Sequence, residues 1–84
     1  LNITNINTSL YHTKSIKIIG KNYWVSSESD GLELLNKDLS FIKKINKYNT
    51  LKTNKINNVF EDNLLNKWIL TKNKGIYKLE NKTI

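Results

Sequence analysis

The chain repeats itself, and that limits its fold more than any other feature. Residues 24–37 read WVSSESDGLELLNK and residues 68–82 read WILTKNKGIYKLENK, so Trp24 matches Trp68, Val25 matches Ile69, Gly31 matches Gly75, Leu32 matches Ile76 and Leu35 matches Leu79 at a constant offset of 44 residues. Both tryptophans of the chain, and two of its three glycines, fall in this register. Upstream, Ile16-Lys17 aligns with Val59-Phe60 once the turn at Gly20-Lys21-Asn22 is taken as one residue shorter than Asn63–Asn66. A period in the forties belongs to arrays of small supersecondary units, which are either helical repeats or β-propeller blades.

Local chemistry decides between those two classes. A helical reading can use Leu32, Leu35, Leu39 and Ile42 at spacings of three and four, with Phe60, Leu64, Leu65 and Trp68 on another face. Asn58 three residues before Glu61 even imitates a capping box. That reading puts Gly31 and Gly75 in or beside helices, at about 1 kcal/mol each relative to Ala, in a chain with no Ala and abundant Asn. Strands account for the same residues without the penalty. Each copy is then an apolar run, a polar turn rich in Asn, Asp or Gly, and a second apolar run.

The expected first strands are Ser15–Ile19 and Asn57–Asp62, the second strands Tyr23–Ser26 and Lys67–Thr71, and the third strands Gly31–Leu35 and Gly75–Leu79. Phe41–Ile45 forms an outer fourth strand, and its counterpart in the second copy begins near Ile84. Leu32 and Leu34 point to one face and Leu35 to the other, while Trp68-Ile69-Leu70 is continuously apolar, so both faces of the sheets call for cover. The fold class is therefore all-β, with antiparallel β-propeller blades forming an incomplete propeller segment. Residues 1–14 are the tail of a preceding blade, including Leu1–Ile6, plus a connection. Residues 15–56 are a first blade with its outer strand and connecting loop, and residues 57–84 a second, incomplete blade. Trp24, Gly31, Asp62, Trp68 and Gly75 are the structural repeat positions, with both indoles buried between blades. A tryptophan pair serving as a sugar- or base-stacking platform stays open as an alternative.

Eighty-four residues allow one small domain, and the sequence begins at Leu1, not Met, so further chain is expected before it. The longest apolar runs are pairs and triples, far short of the ~20 residues that cross a bilayer as a helix. Without Cys and with one His, thiolate metal centres and disulfides are excluded, and no cofactor is expected. The charge of +7 comes from Lys alone, with Arg absent. Those lysines run from Lys14 to Lys82 without a dense block, so no nucleic acid is expected, although a small basic nucleic-acid-binding domain of helical or mixed structure remains the alternative.

Nothing in the sequence assembles a catalytic set, so the chain is read as no enzyme. His12 has no marked acid or nucleophile beside it. Glu61 and Asp62 are adjacent in a strand and point to opposite faces, which rules out a shared acid–base role. Asp62 instead suits the amides of the turn that follows it. Glu28 and Asp30 beside Gly31 lack the ordered oxygen series of a calcium loop, and no phosphate-cradling glycine string occurs. The polar stretch Asn46–Lys55 joins the outer strand of one unit to the first strand of the next, and Tyr48 and Lys52 are its candidate ligand or partner contacts.

The phrases NVFEDNLLNKWILTKNKGIYKL and YWVSSESDGLELL resemble the two-component regulator propeller repeat, which runs as an apolar strand, an acidic pair, a short turn, W-[IV]-G-T, then G-[LI] and a third strand. Val59-Phe60-Glu61-Asp62, Trp68-Ile69, Thr71 and Gly75-Ile76 match it, with Leu70 in place of the customary Gly. In the first copy, Ser26-Ser27 replaces Gly-Thr and Ile18-Ile19 replaces the acidic pair. The resemblance implies a non-enzymatic sensor or binding segment of a periplasmic or otherwise extracytoplasmic propeller, in a membrane-anchored bacterial two-component regulator. It also implies neighbouring blades of the same protein as partners and an oligosaccharide as ligand.

Overall fold

The computed structural model describes residues 2–6, 8–48 and 50–81. It contains seven strands in two antiparallel sheets and, among the described residues, no helix. β1 (Thr13–Ile19), β2 (Asn22–Ser27), β3 (Leu32–Leu35) and β4 (Phe41–Ile45) form the first sheet in chain order. β5 (Ile56–Glu61), β6 (Lys67–Thr71) and β7 (Ile76–Leu79) form the second. No barrel or ring closes among these residues. The helical alternative fails, since Leu32–Ile42 is two strands and a turn in which Leu39 takes φ 73°.

The sequence repeat is a structural repeat with a one-residue insertion. Ile16 pairs with Val25 and Lys17 with Trp24, as Val59 pairs with Ile69 and Phe60 with Trp68. First strands are thus offset by 43 residues and second strands by 44, and the extra residue lies in the intervening turn. Gly20 at φ 62° opens the tight Gly20-Lys21 hairpin of the first unit. The longer turn of the second unit closes through the Asp62 amide donating to the Asn66 carbonyl at 3.0 Å. At the opposite end the two units turn alike: the Ser27 amide donates to the Gly31 carbonyl at 2.9 Å, and the Thr71 amide to the Gly75 carbonyl at 3.0 Å. Each first strand also bulges at the same place, at Lys14 and Asn57, and these two side chains meet at 2.8 Å.

Several boundaries differ from the sequence expectation. β1 starts at Thr13, because the bulge lets Thr13 pair with Ser27. The third strands start after their glycines, whose φ of 85° and 81° lies outside the β region. Asp62 belongs to the turn and not to β5. Residues 2–6 form no strand, and Ile84 lies outside the described residues.

Alternation sets which side chains meet. Trp24, Leu32 and Ile45 of the first sheet face Ile56, Val59 and Ile69 of the second, with Tyr77 and Leu79 at the margin and Leu51 entering from the connection. On the far side of the first sheet, Val25 and Leu35 are covered by Leu10 of the N-terminal segment. That segment is tied down where Ser27 Oγ donates to the Tyr11 carbonyl and the Tyr11 amide donates to Asp30 Oδ2 at 3.1 Å. The far side of the second sheet carries Phe60, Trp68, Leu70 and Ile76, of which Ile76 is 64% exposed. Trp24 is buried, and Trp68 is half-buried on a face over which no sheet lies among the described residues.

Candidate functional site

The residues singled out from the sequence divide among three places in the fold. Asp62, Trp68 and Gly75 belong to the second unit, Trp24 and Gly31 to the first, and Tyr48 and Lys52 lie on the connection between β4 and β5.

Asp62 is the organising residue of the second unit. Its Oδ1 accepts the Leu64 and Asn66 amides, each at 2.9 Å, and its Oδ2 accepts Trp68 Nε1 at 2.8 Å and Asn66 Nδ2 at 3.1 Å. The bond from Trp68 is the main reason its carboxyl is lowered to about 2, with the Asn66 side chain and the turn amides adding to it against partial desolvation. An ionised Asp62 therefore holds both the turn and the indole plane. Phe60 lies parallel to that indole, with centroids 6.3 Å apart and planes inclined by 10°, and Lys78 Nζ sits 5.4 Å from its centroid. The result is an aromatic platform on an open sheet face, cation-capped on one side.

The first unit lacks this device. Ile19 stands at the position of Asp62, and the buried Trp24 Nε1 has no hydrogen-bond partner among the described residues. Burial of the ring outweighs the cost of one orphaned N–H, about 1–3 kcal/mol. The departure from the acidic pair in Ile18-Ile19 thus has a concrete local consequence. Ser27 and Thr71, by contrast, do the same work: each hydroxyl accepts an amide of its own turn, from Asp30 at 2.9 Å and from Lys74 at 2.9 Å.

The two glycines share a backbone conformation and differ in surroundings. A Cβ on Gly31 would lie 2.5 Å from the Ile45 carbonyl oxygen and 3.0 Å from the Asn46 Cβ, whereas one on Gly75 would have nothing within 4 Å. The Gly31 amide donates to the Asn54 carbonyl at 2.8 Å, so this glycine is where the connection folds back against the first sheet.

The connection itself forms a rim with the β6–β7 turn. Lys52 donates its amide to Tyr77 Oη at 3.2 Å, Thr53 Oγ1 donates to Asn73 Oδ1 at 3.1 Å, and the Lys72 amide donates to the Lys55 carbonyl at 2.9 Å. Tyr48 is 80% exposed, with Lys47 Nζ 5.1 Å from its centroid. Lys52 thus lies on this rim and Tyr48 farther up the same connection, while Trp24 is in the core and Trp68 on a separate face.

Sequence reading missed Glu33. It is buried on the first sheet beneath the N-terminal segment, and its Oε2 accepts the Ser9 amide at 3.2 Å and the Ser9 hydroxyl. Strand alternation between Leu32 and Leu34 already puts it on the Leu35 face; the cover over that face had no sequence signal. His12 Nδ1 meets Ser29 Oγ at 2.8 Å, on the surface. Among the described residues no group of three His, Cys, Asp or Glu side chains could hold a metal ion. A groove of about 280 Å³ between Ile6, Thr8 and β1 is floored by Ile16 and Val25, and the only charged side chain among its lining residues is Lys14, already bonded to Asn57.

No family model, curated protein or solved structure matches the chain.

Proposed function

We propose that the two sheets are successive blades of an incomplete β-propeller, and that the chain is a non-enzymatic sensing and binding segment of an extracytoplasmic bacterial two-component regulator responsive to glycans. The observation that carries the blade reading is the equivalence of faces. The Trp24 and Leu32 face of the first sheet is covered by the second sheet, while its counterpart, the Trp68 and Ile76 face, is open. Units that stack in one direction leave such a face for the next unit. Two units do not close a ring, which takes about four to eight, so closure requires further blades. The periplasmic setting and the regulator rest on the W-[IV] and G-[LI] phrases, and the binding role on the exposed rim over a rigid sheet scaffold.

The alternative, a basic nucleic-acid-binding domain, draws support from the lysines of the rim alone. The reading is tested by sequencing the coding DNA on either side. More copies of W-[IV]-x-x followed by G-[LI] at an interval near 44 residues, with a membrane span and a signalling module beyond them, support it. Flanks that carry none of these refute it.

A further inference from the structure

The lysines look evenly dispersed along the sequence, and the topology does not leave them so. Lys47, Lys52 and Lys55 lie on the β4–β5 connection, and Lys72 and Lys74 on the β6–β7 turn, and the Lys72–Lys55 and Thr53–Asn73 hydrogen bonds join these two segments into one rim. All five are exposed. The ion pairs Lys44–Asp30 and Lys67–Glu61, at 3.3 and 3.0 Å, use none of them. Glu28 and Asp30 occupy the neighbouring β2–β3 turn, and Asp30 is already matched by Lys44. The other end of the sheets holds Asp38, Glu61, Asp62 and Glu80 beside Lys21, Lys37, Lys43 and Lys67, an even balance, so the excess of positive charge lies toward the connection.

On the same connection Tyr48 is 80% exposed, with Lys47 Nζ 5.1 Å from its ring centroid and its amide donating to Asn46 Oδ1 at 2.9 Å. An aromatic ring with an apolar face and a polar tip, set among cations, suits a ligand that is itself part apolar ring face and part anion.

We infer that this rim binds an anionic oligosaccharide, with Tyr48 receiving a pyranose face and Lys52, Lys55 and Lys72 its carboxylate or sulfate groups. The inference rests on the glycan-sensing reading above and names its ligand class. A single exposed ring gives no series of platforms for successive bases, which favours an acidic sugar over a nucleic acid.

The test is calorimetric titration of the full chain with an oligogalacturonate hexamer, a neutral dextran oligomer and a single-stranded DNA oligomer, at several salt concentrations. Oligogalacturonate is expected to bind most tightly. The triple variant Lys52→Gln, Lys55→Gln, Lys72→Gln should weaken it at least tenfold and flatten its salt dependence. The equally charged control Lys21→Gln, Lys37→Gln, Lys43→Gln should change it less than about twofold, since these lie away from the rim. Tyr48→Ala should weaken binding without altering the salt slope. Equal losses in both triple variants would reduce the effect to net charge and overturn the inference. Dextran binding that ignores the rim lysines would overturn it and leave glycan sensing standing, whereas DNA bound more tightly than either sugar would overturn both.

Discussion

Substituting alanine at Gly31 and at Gly75 separates two demands that a glycine can meet. Both residues have nearly the same positive φ, 85° and 81°, so each alanine meets a similar left-handed penalty of about 1–2 kcal/mol. Each also stiffens the unfolded chain, which returns about 0.4–1 kcal/mol. Those terms cancel in the comparison. What remains is the approach of the Ile45 carbonyl to within 2.5 Å of the new Cβ at Gly31 and the empty space at Gly75. Backbone must move to relieve that clash, at about 1–3 kcal/mol, and the Gly31 amide's bond to Asn54 is placed at risk for about another 1 kcal/mol. Gly75→Ala should therefore cost about 1 kcal/mol and Gly31→Ala about 3–4. A chain of this size has about 4–12 kcal/mol in total, so the second change removes a large share. Thermal denaturation followed by tryptophan fluorescence should show a fall in Tm of about 5 °C for Gly75→Ala and 15 °C or more for Gly31→Ala. Equal shifts would refute the close approach of the connection to the first sheet.

The same pairing of repeat positions applies to the core and to the acidic turn. Leu32 is fully buried and its counterpart Ile76 is 64% exposed, so Leu32→Ala should cost about 3–4 kcal/mol and Ile76→Ala less than about 1 in urea denaturation. Asp62 has a folded pKa of about 2 against an ordinary 3.8; its contribution is fully present above pH 4 and is lost as pH falls through 2. Asp38, held below its ordinary value chiefly by Ser40, acts in the same direction. A Tm profile between pH 2 and 5 should accordingly be shallower, but not flat, in Asp62→Asn.

The platform around Trp68 and the orphaned Trp24 Nε1 show how a repeat diverges. One position, acidic in the second unit and Ile19 in the first, decides whether the indole N–H is satisfied. In the first unit the indole is buried beneath the neighbouring sheet, and the loss is tolerated. In the second the ring borders open surface, and the carboxylate both anchors it and shapes the turn.

Much of the fold was legible residue by residue. Tyr23–Ser26, Lys67–Thr71 and Phe41–Ile45 read as strands because short apolar runs were bounded by Asn, Asp and Gly, and those properties act between chain neighbours. The one-residue difference between the two first turns followed from aligning Ile16-Lys17 with Val59-Phe60, since a hairpin's register depends on its own loop. The amide-binding role of Asp62 was equally local.

Burial was another matter. Trp24 and Trp68 occupy equivalent positions of the two repeats, yet one is in the core and the other half-open, because cover depends on which sheet stacks where and not on the residue itself. For the same reason the burial of Glu33 has no signal in the sequence: packing alone brings the N-terminal segment over it. The rim lysines, spread over 28 positions of sequence from Lys47 to Lys74, became one charged surface only when the connection and the β6–β7 turn were joined by hydrogen bonds. Local chemistry along the chain determined the strands and turns; their packing decided which side chains are hidden, which are left bare, and which charges are brought together.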